Sequence, residues 1–235
     1  MRSELSSIIK PEIWEICRCL GPSRLKEHYY LAGGTGLALQ IKHRMSDDLH
    51  FFSINQAASL EAIALLKLLK LIFPQYMVRI DLKLSNQLDV FVDNTKVCFM
   101  TCDYPLLTPL VEGSSIAAEL TGLKLASARE IALMKALNII RRPDWEDYVD
   151  LLFLLQTAGI DLTYILNNAS LKFVSEDKMG FSAKTFLERL RNMHNIPDKS
   201  EALAKIAGNP LTAQDIETYM EKMVMQYIND QSRPG

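Results

Sequence analysis

The stretch AGGTGLALQIKHRMSDDLHFF, residues 32–52, concentrates residue types that act on phosphates. Gly33 and Gly34 follow a short apolar segment, HYYLA, and precede the helical pattern TGLALQIKH. Glycines at such a junction let backbone N–H groups approach phosphate oxygens, and a helix start adds partial positive charge there. Neither familiar phosphate loop fits. The GK[ST] of a Walker loop is absent, and Leu39 stands where the dinucleotide fingerprint needs its third glycine. Arg44 and Ser46 follow, and then Asp48 opens the strand-like DLHFFS. In a strand, residues 48 and 50 point to one face. Two acids so placed would hold metal ions roughly 3.5–4 Å apart, the arrangement that clamps the attacking and leaving oxygens in nucleotidyl transfer. The second position here is His50, which suits zinc, copper or iron better than magnesium. A histidine between Leu49 and Phe51 is either a hydrogen-bonded core residue or a ligand.

The elements that must position these residues alternate in type. Pro11 and EIWEICRCL, closed by Gly21-Pro22, predict a short helix. LEAIALLKLLKLIF, residues 60–73, is apolar on most sides and predicts a helix lying against a sheet. MVRIDLKLSN, QLDVFVD and KVCFMT read as strands, the last two forming a hairpin around Asn94. The second half is helical. Ser127 and Glu130 carry a capping-box signature, a helix restarts at Pro143 and closes at Gly159, and Thr212 with Asp215 forms another cap. Lys135 on an amphipathic helix reads as a solvated lysine, whereas Asp147 and Asp150 share one helical face.

With 235 residues, 49% hydrophobic and 23% charged, the chain is long enough to bury a core without disulfides. Its formal charge of -2 gives no bulk attraction to nucleic acid, so RNA binding would need a local basic patch. Cys17, Cys19, Cys98 and Cys102 lack zinc-ribbon or CxxC spacing and predict reduced thiols, Cys98 being a small buried hydrophobe. The opening MRSELSSIIKPEIW meets Lys10 and Pro11 before a signal-type apolar core can form, and no run approaches 18 apolar residues. These features predict a cytoplasmic protein with no membrane association.

GGTGLALQ, His43-Arg44, Ser46 and DLHFF, in that order and spacing, resemble the first motif of the AbiEii/AbiGii toxins, nucleotidyltransferase-like proteins of the DNA polymerase β-like superfamily. KVCFMTCDYPLL resembles the family's strand bearing a third metal-binding acid, and LASAREIALMKALNIIRRPDWEDYVDLLFLL its helical motif. The resemblance implies an α/β (α+β) fold, with a mixed-sheet nucleotidyltransferase-like domain over 1–120 that includes the N-terminal helix, and a helical region over 121–235. It implies transfer of a nucleotidyl group from an NTP to an acceptor such as tRNA with Mg²⁺ or Mn²⁺, in a toxin-antitoxin or phage-defence setting with a cognate antitoxin. Gly33, Gly34, Thr35, Arg44 and Ser46 would bind nucleotide. Asp48 and His50 would face metal, and Asp48, Lys135 and Asp147 would be catalytic.

Three positions depart from the family pattern. His50 replaces the second acid, Cys98 stands at the third, with Asp89 on the neighbouring strand and Asp103 nearby, and Glu146 replaces a lysine. A second reading follows, that of a catalytically degenerate nucleotidyltransferase-fold module acting by binding.

Overall fold

The computed structural model describes residues 5, 7–55, 59–174 and 180–232, so the opening residues that bear on a leader lie partly outside the described residues. It divides into two compact units, Met1–Ser127 and Ala128–Gly235.

In the first unit, α1 (Pro11–Leu20) starts at its proline, whose fixed φ suits a first helical position, and buries Ile13, Ile16, Cys17 and Leu20. β1 (Tyr29–Ala32) runs directly into α2 (Gly33–Ile41). That helix begins two residues before the expected Thr35, so the glycines form its first turn, and it ends at Lys42 in the left-handed region. There follow β2 (Asp48–Ser53), α3 (Ala62–Ile72), β3 (Val78–Lys83), β4 (Gln87–Val92), β5 (Thr95–Met100), β6 (Val111–Glu112) and β7 (Lys124–Leu125).

The strands form one mixed sheet in the order β3-β4-β5-β2-β1-β7-β6. β2 with β5 and β1 with β7 are parallel, and the remaining neighbours are antiparallel. The β4–β5 hairpin is present, with Asp93 rather than Asn94 taking the positive φ, +49°. Alternation along β2 buries Leu49, Phe51 and Ser53 and leaves Asp48, His50 and Phe52 half-exposed on the opposite face. Phe99 anchors the buried side, stacked on Phe51 at 5.3 Å and met edge-on by Tyr29 at 5.2 Å.

The second unit comprises α4 (Ala128–Arg141), α5 (Trp145–Leu155), α6 (Leu162–Lys172), α7 (Ala183–Arg191), α8 (Lys199–Ala204) and α9 (Ala213–Gln231). α4 is its central helix and packs on α5, α6 and α7. Asp144, not Pro143, sets the start of α5, its carboxylate accepting from the Glu146 N–H at 2.8 Å. The helix ends at Leu155, before the positive-φ Gly159. The box at Thr212 and Asp215 forms with both reciprocal bonds. α4 opens directly after Ser127, where the cap signature puts its start, and the buried Glu130 carboxylate lies against Lys172. Among the described residues no helix is long and apolar enough to cross a membrane.

Candidate nucleotide-binding site

The glycine turn and the Asp48 strand are joined physically. β1 and β2 pair antiparallel with Ala32 opposite His50, which sets the start of α2 beside the exposed face of β2. The Thr35 hydroxyl donates to the Asp48 backbone carbonyl at 2.5 Å, fixing the first helical turn to the first strand residue. Gly33 has φ +65°, a conformation that L side chains rarely adopt, and a Cβ built on it would lie 3.4 Å from His50 Nδ1.

Arg44 and Ser46 sit behind this turn. Both are buried, and Arg44 Nη1 donates to the Met45 carbonyl at 2.9 Å. A Cβ on Gly34 would fall 2.5 Å from Arg44 Nη2 and 3.0 Å from Ser46 Oγ. Because that guanidinium is enclosed, Gly34→Ala should destabilise the first unit by about 1–3 kcal/mol through overpacking. Chemical denaturation of the variant beside wild type checks this, and an unchanged midpoint would show that Arg44 yields freely.

Asp48 and His50 share the face that alternation predicts, with Asp48 Oδ1 3.6 Å from His50 Nδ1. The parallel register of β2 and β5 sets Asp48 beside Lys96 and His50 beside Cys98, and the next register sets Cys98 beside Asp89 on β4. The row is therefore His50, Cys98, Asp89, with Lys96 alongside it. Lys96 Nζ lies 3.1 Å from Asp89 Oδ2 and 3.3 Å from Asp81 Oδ2 on β3. A register shift between Ile80 and Leu82 interrupts β3 at Asp81.

The electrostatics follow from these contacts. Burial raises the Asp89 carboxyl, but hydrogen bonds from Gln87, Lys96 and Cys98 outweigh it, and the group ends below its ordinary value. Lys96 is held above its ordinary value, chiefly by its hydrogen bond to Asp89. The Cys98 thiol is pushed up to about 12, first by burial and then by its bond to Asp89. It is a protonated, enclosed group, as free cysteine in a core commonly is. All four cysteines are free thiols.

This donor set does not fit a pair of divalent ions. Asp48 offers one carboxylate, His50 offers imidazole, Cys98 is a buried thiol, and Asp89 is engaged by Lys96. Among the described residues no group of three or more His, Cys, Asp or Glu side chains is arranged to hold a metal ion. Asp89, Asp81 and Lys96 complete the face. Lys96 stands two residues before Cys98, so period-two alternation was the signal that could have found it.

The helical unit holds its own polar cluster. Lys135 is buried, not solvated, with Nζ 2.6 Å from Asp147 Oδ1 and 2.5 Å from Asp150 Oδ2. The two carboxylates lie three residues apart on α5 and face the lysine of α4 together. Asp147 Oδ2 is buried and has no hydrogen-bond partner among the described residues. Glu146 instead pairs with Lys205 at 2.7 Å.

A mixed sheet with the glycine turn at the head of α2 and Asp48 at the head of the adjoining strand has the nucleotidyltransferase fold. MenT4, a nucleotidyltransferase toxin of Mycobacterium tuberculosis, is similar with a TM-score of 0.56 and 14% identity, over 89% of this chain and 80% of that one. A candidate nucleotidyltransferase from Helicobacter pylori gives 0.50 at 16% identity, covering all of both chains. In sequence, the chain is 31% identical over 134 residues to an uncharacterised protein of Aquifex aeolicus; the match spans 57% of this chain and 61% of that relative's length. No protein-family model matches the chain.

Proposed function

We propose that this chain is a nucleotidyltransferase-like protein of the AbiEii/AbiGii toxin type, transferring a nucleotidyl group from an NTP to an acceptor, of which tRNA is the first to test. The observation that carries this reading is the hydrogen bond from Thr35 to Asp48, which ties a glycine-opened helix start to a half-exposed carboxylate on one sheet. In the reaction an acceptor hydroxyl oxygen bonds to the α-phosphorus, the bond from that phosphorus to the bridging oxygen breaks, and pyrophosphate leaves. The hydroxyl proton passes to a base or to water.

Backbone N–H groups at Gly33, Gly34 and Thr35 receive phosphate oxygens, aided by the helix dipole. Arg44 and Ser46 act on the nucleotide through this turn, which they back from beneath, and Arg44 adds positive charge close to it. Asp48, with His50 beside it, would hold one Mg²⁺ or Mn²⁺ brought by the nucleotide, and that ion would supply charge neutralisation at the phosphates. Catalytic roles for Lys135 and Asp147 are proposed on the family resemblance, as are the toxin setting and a cognate antitoxin.

A second reading, a degenerate binding module, is favoured by one observation, the protonated and enclosed Cys98 where a third acid would stand. The deciding experiment is transfer of α-labelled ATP, GTP, CTP and UTP to total tRNA with Mg²⁺ or Mn²⁺. Label incorporation by wild type supports the enzyme. Incorporation only after His50→Asp with Cys98→Asp establishes the degenerate module.

A further inference from the structure

We infer that the Lys96 ammonium takes the place of a second divalent cation, so that the site handles a nucleotide with one divalent ion rather than two. The inference rests on reading this face as a nucleotide site, and concerns how its charge is balanced.

Three observations lead to it. First, Lys96 occupies the row of Asp48 across the β2–β5 register, on the face where alternation also puts His50, Cys98 and Asp89. Second, its Nζ lies between two carboxylates from different strands, Asp89 Oδ2 at 3.1 Å and Asp81 Oδ2 at 3.3 Å. Two carboxylates converging on one point are the usual surroundings of a hard cation, and an ammonium held there supplies fixed positive charge. Third, Asp89 is nearly enclosed, its side chain 3% exposed, while that of Lys96 is 38% exposed. The ammonium thus neutralises a buried acid while its own side chain stays part-exposed, on a residue paired in register with Asp48.

Three carboxylates in a nucleotidyl-transfer site offset up to four positive charges on two ions. With His50 and Cys98 where the family resemblance implies acids, the row carries less negative charge for cations to offset, and a lysine bound to Asp81 and Asp89 offsets part of what remains.

The test is the number of Mn²⁺ ions bound per chain in complex with a non-transferable α,β-methylene NTP, read from the loss of the free-ion electron paramagnetic resonance signal. Wild type and Lys96→Arg should each bind one ion. Lys96→Ala, which exposes the Asp81–Asp89 pair, should bind two, the second at least tenfold more tightly than any second ion in wild type. Because Lys96→Ala strands a buried carboxylate, folding is verified by circular dichroism, and Lys96→Ala with Asp89→Asn serves as a charge-balanced companion that should stay at one ion. Two ions in wild type, or one in folded Lys96→Ala, overturns the inference and leaves the nucleotide site standing. If folded wild type binds no analogue with or without Mn²⁺, the nucleotide reading and this inference fall together.

Discussion

Replacing Asp48 with alanine should cut nucleotidyl transfer by at least about 10³-fold, since electrostatic handling of a reacting phosphoryl group supplies several kcal/mol and each 1.36 kcal/mol is a factor of ten. His50 and Cys98 supply no second carboxylate, and Asp89 is enclosed and engaged by Lys96, so the row offers no other exposed carboxylate to share the work of Asp48. Stability should scarcely move. The Asp48 side chain is 41% exposed, and the bond that positions α2 uses its backbone carbonyl, which alanine retains. The check is a rate measured with labelled NTP and the acceptor that wild type uses, beside a melting curve of the same preparation. Transfer within tenfold of wild type would remove Asp48 from the chemistry. Lost transfer with a collapsed melting curve would assign it a structural duty instead.

The largest expected effect on stability lies in the helical unit. Lys172→Met should destabilise it by about 3–5 kcal/mol, the cost typical of removing one partner from a buried ion pair. Lys172 at the end of α6 contacts Glu130 in the first turn of α4, and the two side chains are 1% and 0% exposed. With the ammonium gone, Glu130 must stay charged in an apolar core, take up a proton, or drag its helix toward water. Methionine itself suits the space, since it keeps most of the lysine stem's length and flexibility. The double variant Glu130→Met with Lys172→Met removes both charges and should recover most of the loss, because apolar replacement of a whole buried pair is often neutral or stabilising. Denaturant unfolding of the single and double variants measures this. Equal losses in both would mean that shape, not charge, holds the pair.

Much of the fold was legible because it rests on local rules. The 3.6-residue apolar pattern after Pro11, the alternation in DLHFFS and QLDVFVD, and the cap at Thr212 each describe one element without reference to any other. Element ends were less legible. α5 begins after Pro143 because the Asp144 carboxylate captures the Glu146 N–H, and α2 takes the glycines into its own first turn because β1 leads straight into it. Both are competitions between backbone and side-chain partners that periodicity does not register.

The candidate site was legible in part for the same reason. Gly33, Gly34, Thr35 and Asp48 fall in one short stretch whose residue types and spacing suggest contact with an anion, and their nucleotide roles come from the family resemblance. Lys135 shows the limit, since a lysine on an amphipathic helix reads as solvated and is instead enclosed by Asp147 and Asp150. Its burial depends on how α4 and α5 pack, and no local pattern encodes a contact across two helices.

The sequence by itself determined which residues could meet phosphate, that a sheet domain precedes a helical one, and that His50 and Cys98 stand at two positions where the family resemblance implies acids. Only the tertiary structure decided what stands around them. Strand order brings β5 beside β2 and β4 beside β5, register sets Lys96 level with Asp48, and the shift in β3 accompanies Asp81 at the same ammonium. Those neighbours are distant in sequence and are joined by backbone hydrogen bonds whose pairing depends on the whole sheet. Charge balance at the site is thus a property of the sheet rather than of any one segment.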